Sequence, residues 1–242
     1  MTNNPSGSLT RMVGVSRFAK LGVVVVAVAV VIGAATYWFV LRSDSKAKAA
    51  ITKTAVTKVG PLDGTWSAFA GIGTDDASTT WVGYRMGETL AGFHRTDVGR
   101  STAVTGIVRI EGNTVSSISV VADQSKLTTD NGLRDTSVRN VLEVTKHRDA
   151  TFVSTAPVVL PARPTAGALI STAVTGDLTL HGVTRHVTVS LQARWDGRHI
   201  EVIGEFPITM ADYSIVIPEV PGLVKADDHG SMELQLFLQP QP

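Results

Sequence analysis

Cysteine is absent from all 242 residues, which removes disulfide staples, thiolate metal ligands and cysteine nucleophiles at once without naming a compartment. An excess of one charge is missing too: 22 Lys and Arg stand against 21 Asp and Glu, for a formal net charge of +1. A nucleic-acid partner would call for a basic surplus, so none is expected. No segment carries the GxxxxGK, GxSxG or HExxH pattern, and no paired-carboxylate signature suggests acid–base work. Convergent polar residues with nameable catalytic roles are also lacking. The chain therefore reads as a binding protein, not an enzyme, with no cofactor and no metal.

Long hydrophobic runs are scarce, and the one exception is informative. Residues 21–41, LGVVVVAVAVVIGAATYWFVL, contain no charge. As a helix rising about 1.5 Å per residue they would span roughly 30 Å, one bilayer core. Arg17 and Lys20 border the run on one side and Arg42 on the other, and Tyr37 and Trp38 sit where an aromatic belt meets headgroups. It reads as a transmembrane signal anchor behind a short tail at residues 1–20. A cleavable signal peptide is the alternative, since Gly33-Ala34-Ala35 supplies small residues. Basic residues are more numerous after the run than before it, which favours an external N-terminus, whereas the n-region-like start favours export of the downstream domain. Charge alone leaves the orientation open. Residues 42–60, rich in Ala, Lys, Ser and Thr, read as a flexible linker, and residues 61–242 are enough for one domain with a real core.

That domain is written in period two. Val174, Gly176, Leu178 and Leu180 alternate with Thr175, Asp177 and Thr179; after His181-Gly182, Val187, Val189, Leu191 and Ala193 alternate with Thr188, Ser190 and Gln192. Alternate side chains of a strand point to opposite faces, so this is a hairpin with one apolar face. The same rhythm recurs at Ile200–Ile208, at Met232–Leu238 and, less cleanly, around Val82–Met86, Val104–Ile110 and Ile118–Ala122. Eight to ten such strands, joined by short Gly, Asn and Asp turns, hide their apolar faces by closing on themselves. The expected fold is mainly β: an extended up-and-down antiparallel β-barrel, lipocalin-like, with a short helical insertion.

The inward parity selects the wall. Val82, Tyr84, Val108, Ile118, Val120 and Phe152 are expected from the first half. Leu178, Leu180, Val189, Leu191, Val202, Phe206, Leu234 and Leu236 are expected from the second. Eight strands can be filled by side chains or can hold one small ligand. Gly106, Gly176 and Gly204 fall on the apolar parity and remove volume there, which favours a cavity.

Between Asp123 and Arg148 the alternation stops. Residues 125–132 have turn chemistry, and Leu133, Val138, Val141 and Leu142 are spaced as on a short helix able to cap one mouth. Asp123, Ser125, Leu127 and Thr129, followed by Arg134-Asp135 and by Ala150-Thr151-Phe152-Val153-Ser154-Thr155, resemble the middle of the YceI-like family. Residues 174–185, Gly83-Tyr84, residues 99–110 and residues 208–215 resemble it too, so the resemblance covers residues 64–238. It implies a lipocalin-like barrel that carries a long-chain amphiphile, a polyisoprenoid or fatty-chain lipid, in an apolar tunnel. It also implies export, hence a single-pass protein of the cytoplasmic membrane with its barrel outside. The alternative is a membrane-anchored interaction module with a filled barrel.

Polar candidates are few. Arg134 and Asp135 are placed at a ligand headgroup or at the cap, with a local ion pair holding the loop as the plainer alternative. Asp227-Asp228-His229 with Glu233 is the most metal-like cluster, but alternation puts Glu233 on the wet face and the loop reads as solvated. His181 and His186 flank the hairpin turn and are expected to face solvent, and His94, His147 and His199 show no HExxH-type spacing.

Overall fold

A computed structural model describes residues 46–241 apart from residues 53, 54, 57, 91, 218 and 220–223. The apolar run at residues 21–41, and with it the transmembrane-helix expectation, lies outside the described residues; among the described residues no helix is long and apolar enough to cross a membrane.

The strands are β1 (Gly64–Phe69), β2 (Trp81–Leu90), β3 (Phe93–Ser101), β4 (Val104–Glu111), β5 (Thr114–Asp123), β6 (Asp149–Ser154), the short β7 (Val158–Val159), β8 (Leu169–Leu180), β9 (Val183–Trp195), β10 (Ile200–Thr209) and β11 (Val224–Pro240). Among the described residues one α-helix, α1 (Gly132–Val141), interrupts them. All pairings are antiparallel, and the order β1-β4-β5-β6-β8-β9-β10-β11 closes by a β1–β11 pairing.

The seventeen-residue β11 makes this closure possible, because its two halves take different partners on the same edge: Phe237–Pro240 meets Trp66–Phe69, and Val224–Gln235 meets Trp81–Leu90. Strands β1 and β2 therefore form one broken stave, and β3 and β4, pairing with β2 and β1 in turn, form the next. The result is an eight-stave up-and-down barrel with no free edge where the staves meet.

The β8–β9 hairpin turns on His181 (φ 52°) and Gly182 (φ 76°), a two-residue loop with both φ positive, which matches the twist of its flanking strands. Period two holds along both strands: Val174, Leu178, Leu180 and Val189 are buried, while Thr175, Asp177 and Thr188 are exposed.

Strand β3 shows no apolar rhythm in the sequence, and the structure gives the reason. Its inward positions are Arg95, Asp97, Gly99 and Ser101, opposite Glu88, Met86, Tyr84 and Val82 of β2. A strand whose inner face is polar carries no hydrophobic alternation.

Two apolar clusters divide the interior. Leu62, Trp66, Ile110, Trp195, Ile200 and Leu238 pack near the β4–β5 and β9–β10 turns. Leu142, Leu180, Phe206, Met210, Tyr213 and Ile215, with Tyr84, Val138 and Val141 beside them, cluster at the end that carries α1. The indole of Trp66 donates to Leu62 O at 2.8 Å, satisfying its one polar atom inside the first cluster.

The stretch read as a linker is hydrogen-bonded to the barrel's outer wall in its described part. Thr52 N donates to Glu201 Oε2 at 2.9 Å, Lys48 Nζ meets Glu205 at 2.7 Å, Arg194 Nη1 donates to Thr52 O at 2.6 Å and Gly60 N to Gly197 O at 2.8 Å. This strap changes the character of the outer face beneath it. Arg100, stacked 3.7 Å over the Trp81 ring, donates to Ala47 O, and Arg85 donates to Lys46 O at 2.7 Å and pairs with Glu233 at 2.5 Å. Glu233 is on the outer parity, as alternation requires, yet its side chain is only 3% exposed and not wet. The correction is one of tertiary cover, which local alternation does not report.

Candidate functional site

Two adjoining spaces run along the barrel axis and share Val82, Ala122, Ala150 and Met232 as wall. The narrower, about 160 Å³, lies in the body of the barrel, and the wider, about 560 Å³, lies at the end covered by α1. The wall of the narrower one is almost wholly hydrocarbon, although Trp195, one of its lining residues, has its indole nitrogen buried without a hydrogen-bond partner.

All fourteen wall positions expected from alternation face these spaces. Tyr84 and Leu180 face the wider, Val82 faces both, and the other eleven face the narrower. The glycine expectation needs correction. A Cβ on Gly176 would stand 2.4 Å from the Phe152 ring, and one on Gly204 would stand 2.5 Å from Leu191 Cδ2. These two glycines make room for neighbouring side chains, not for open space. Only Gly106 has its nearest neighbours at ordinary contact distance, from 3.4 Å.

The wide end acquires polarity from three elements. Glu88 comes from β2 and Arg95 and Asp97 from β3, all on the inward parity; Arg134 reaches in from α1. Arg95 bridges Glu88 (3.1 Å) and Asp97 (2.8 Å), and Arg134 lies 3.2 Å from Asp97 and 3.9 Å from Glu88 while also holding Asp130. Two carboxylates and two guanidiniums thus form a ring that is charge-balanced when all are ionised. Burial, reinforced by the Glu88 carboxylate, pushes the Asp97 carboxyl up to about 7 against the opposing pull of Arg95. Burial and the same two carboxylates raise the Tyr84 phenol above its ordinary value.

Helix α1 forms the cover. Asn131 caps it by accepting from Leu133 N, and Arg134, Ser137, Val138 and Val141 line the wide space. Of the two places expected for Asp135, headgroup or cap, the structure gives the cap: it does not line the tunnel. Its Oδ1 accepts from Thr129 N at 2.6 Å and Thr129 Oγ1 at 2.7 Å, fixing the turn that delivers α1. Position 135 points back along the chain because it lies in the first helical turn, where a carboxylate meets free N–H groups.

Sequence reasoning missed Glu88, Arg95 and Asp97. Glu88 was legible as a charge on the parity of Val82, Tyr84 and Met86. The other two were hidden with β3 itself. His181 also departs from expectation: its side chain is 13% exposed, with Nδ1 3.1 Å from Tyr213 O, because the Met210–Tyr213 turn covers the hairpin tip. His186 is exposed and faces Asp177 at 3.0 Å. Asp228 and His229 pair with each other in solvent.

Residues 74–237 match the YceI-like domain. The chain belongs to the YceI-like family. A UPF0312 protein of Vibrio campbellii is 33% identical over 110 residues, which cover 42% of this chain and 54% of that protein, so the match spans about half the relative's length. A UPF0312 protein of Vibrio vulnificus is 29% identical over 141 residues, 54% of this chain and 71% of the relative. Among solved structures, a polyisoprenoid-binding domain from Saccharophagus degradans implicated in plant cell wall breakdown superposes with a TM-score of 0.55 at 17% identity, covering 73% of this chain and 98% of that one. What that superposition shows is a shared fold.

Proposed function

We propose that this chain is a lipid-binding protein that holds a long-chain amphiphile, a polyisoprenoid or a fatty-chain compound, with its tail in the narrow space and its polar end beside Glu88, Asp97 and Arg134. The observation that carries the reading is the gradient across the two adjoining spaces: hydrocarbon walls in the barrel body, a charged ring only at the α1 end. The polyisoprenoid-binding relative of like fold agrees with it. Each buried methylene contributes about 0.8 kcal/mol, so a five-carbon isoprene unit contributes on the order of 4 kcal/mol before association costs. A few units suffice without a strong polar anchor.

Glu88, Asp97, Arg95 and Arg134 at the mouth are engaged in mutual ion pairs, and we read them as a headgroup seat and not as catalytic machinery. With residues 21–41 as a transmembrane helix, the barrel is tethered to the cytoplasmic membrane on its outer side, where it takes up, stores or shields lipid. The test is organic extraction of the purified chain followed by mass spectrometry. A stoichiometric long-chain lipid is expected; its absence from chain purified out of its native membrane, and from chain incubated with lipid vesicles, would leave a filled-barrel interaction module as the reading.

A further inference from the structure

Outside the tunnel, three ligating side chains converge at the same end of the barrel. Glu143 and His147 come from the turn that follows α1, and His181 comes from the tip of the β8–β9 hairpin, more than thirty residues later. One ligating atom from each lies within 4.8 Å of the others: Glu143 Oε2 stands 4.0 Å from His147 Nε2 and 3.8 Å from His181 Nε2. We propose that Glu143, His147 and His181 form a site for a divalent transition-metal ion of the zinc class, which clasps the end of the α1 cover to the barrel rim.

The state of His181 is the strongest support. Its Nδ1 faces the Tyr213 carbonyl at 3.1 Å. A carbonyl only accepts, so Nδ1 carries the proton and, in the neutral ring, Nε2 presents a lone pair. That Nε2 is buried without a hydrogen-bond partner, aimed toward Glu143. A backbone carbonyl that fixes one ring nitrogen while the other is left to ligate is the usual support for a metal-bound histidine. Two imidazoles and a carboxylate, with one position left for water, suit zinc and its neighbours and not calcium or magnesium, which prefer oxygen.

The backbone holds these groups in place. Glu143 has φ 45° and His181 φ 52°, both left-handed, and His147 N donates to Glu143 O at 2.9 Å to close the turn that sets the first two ligands on one side. The His147 and His181 rings meet edge to face with centroids 4.9 Å apart. Gly182 makes that approach possible: a Cβ there would lie 2.6 Å from His147 Cε1. Lys146 Nζ lies 3.0 Å from Glu143 Oε2 and is the cation an incoming ion would displace from it. Leu142 and Leu180, adjacent to two of the ligands, line the wide space, so an ion here ties the cover to the rim without entering the tunnel.

The experiment uses the untagged full chain in mild detergent, stripped with chelator. ZnCl2 is titrated by calorimetry, and CoCl2 by the strong visible absorption of four-coordinate cobalt. One ion per chain is expected, with slower amide exchange over residues 132–147 when zinc is bound. His181→Asn retains a residue that tolerates the left-handed turn, and His147→Gln lies outside the hairpin; each is expected to weaken zinc by more than about tenfold while melting stays cooperative. His229→Ala, at an exposed histidine paired with Asp228, is expected to change nothing. Absence of saturable binding, or wild-type affinity in both site variants, overturns the proposal.

Discussion

Leu178→Trp separates a tunnel from a filled core. Leu178 is 5% exposed, faces the narrow space and stands opposite Phe152 across the β6–β8 pairing. The space it faces is about 160 Å³. If one methylene displaces about the volume of one liquid water, roughly 30 Å³, about five methylenes of a tail fit there. At about 0.8 kcal/mol each, denying that space to a tail removes on the order of 4 kcal/mol, a loss of several hundredfold or more in affinity. The indole fills volume that is open in the ligand-free barrel, so the stability cost is expected to be small. In a close-packed core the added atoms would force strain of about 1 to 3 kcal/mol or more. Thr188→Trp, on the exposed face of β9, is the control. Lipid per chain after solvent extraction, with thermal melting of the same samples, is the assay. The variant is expected to melt cooperatively near the wild type and to come off the column without lipid, while Thr188→Trp keeps it. An unfolded Leu178→Trp, or one with unchanged lipid, refutes the assignment of this face to a tunnel.

The charged groups and the chain's start yield three further expectations. Asp97, with its carboxyl raised to about 7 by burial beside Glu88, keeps its proton in the folded state after the unfolded chain has lost it near the ordinary value of 3.8. Its contribution to stability is therefore present below about pH 4 and is lost as pH rises through about 7; Glu88, Arg95, Arg134 and Tyr84 face it, and Asp97→Asn should flatten the fall in urea midpoint over that window, a fall of undiminished slope counting against the assignment. Arg85→Ala strips the 3%-exposed Glu233 of its 2.5 Å partner and leaves it only Arg100 at 3.9 Å, which should cost about 3 kcal/mol by urea unfolding, whereas Arg85→Met with Glu233→Leu, with Arg100 still held by Asp76, should recover most of it; equal losses in both would show that the pair itself, not an under-compensated charge, stabilises the wall. Because the chain has no cysteine, Ser43→Cys is a unique label, and an outside barrel predicts reaction with an impermeant maleimide in intact cells; reaction only after lysis would reverse the orientation.

The tunnel wall was readable in the sequence because it depends on a local rule. Once Leu178 and Val189 are known to be in strands, parity alone decides which way they point, and every wall position so chosen faces the interior. What was hidden depends on cover and on distant partners. Nothing local marks Glu233 as buried, since the strap that covers it lies nearly two hundred residues earlier. Strand β3 escaped because the apolar rhythm that reveals strands is absent where a strand contributes Arg95 and Asp97 to a polar ring. Asp135 and Arg134 are adjacent, yet a helix turns its side chains about 100° per residue: one faces the tunnel, the other the preceding turn.

These hidden elements lie together, and their position implies a direction of access. At one end Trp66, Trp195, Leu62 and Leu238, all buried, close the barrel with side chains and a satisfied indole. At the other end are the wide space, the charged ring, α1 and the His181 turn. Helix α1 has no fully buried residue, and its Leu133 is 82% exposed, so it makes few of the apolar contacts that would hold it shut. A cover held by ion pairs through Arg134 opens at lower cost than a packed core. On the proposed lipid-binding function, a tail entering past it would meet hydrocarbon as it advances and leave its head at the Asp97–Arg134 pair, which would exchange one partner for the ligand. Access by the α1 end therefore needs only a local opening, whereas access by the Trp66 end would dismantle the core.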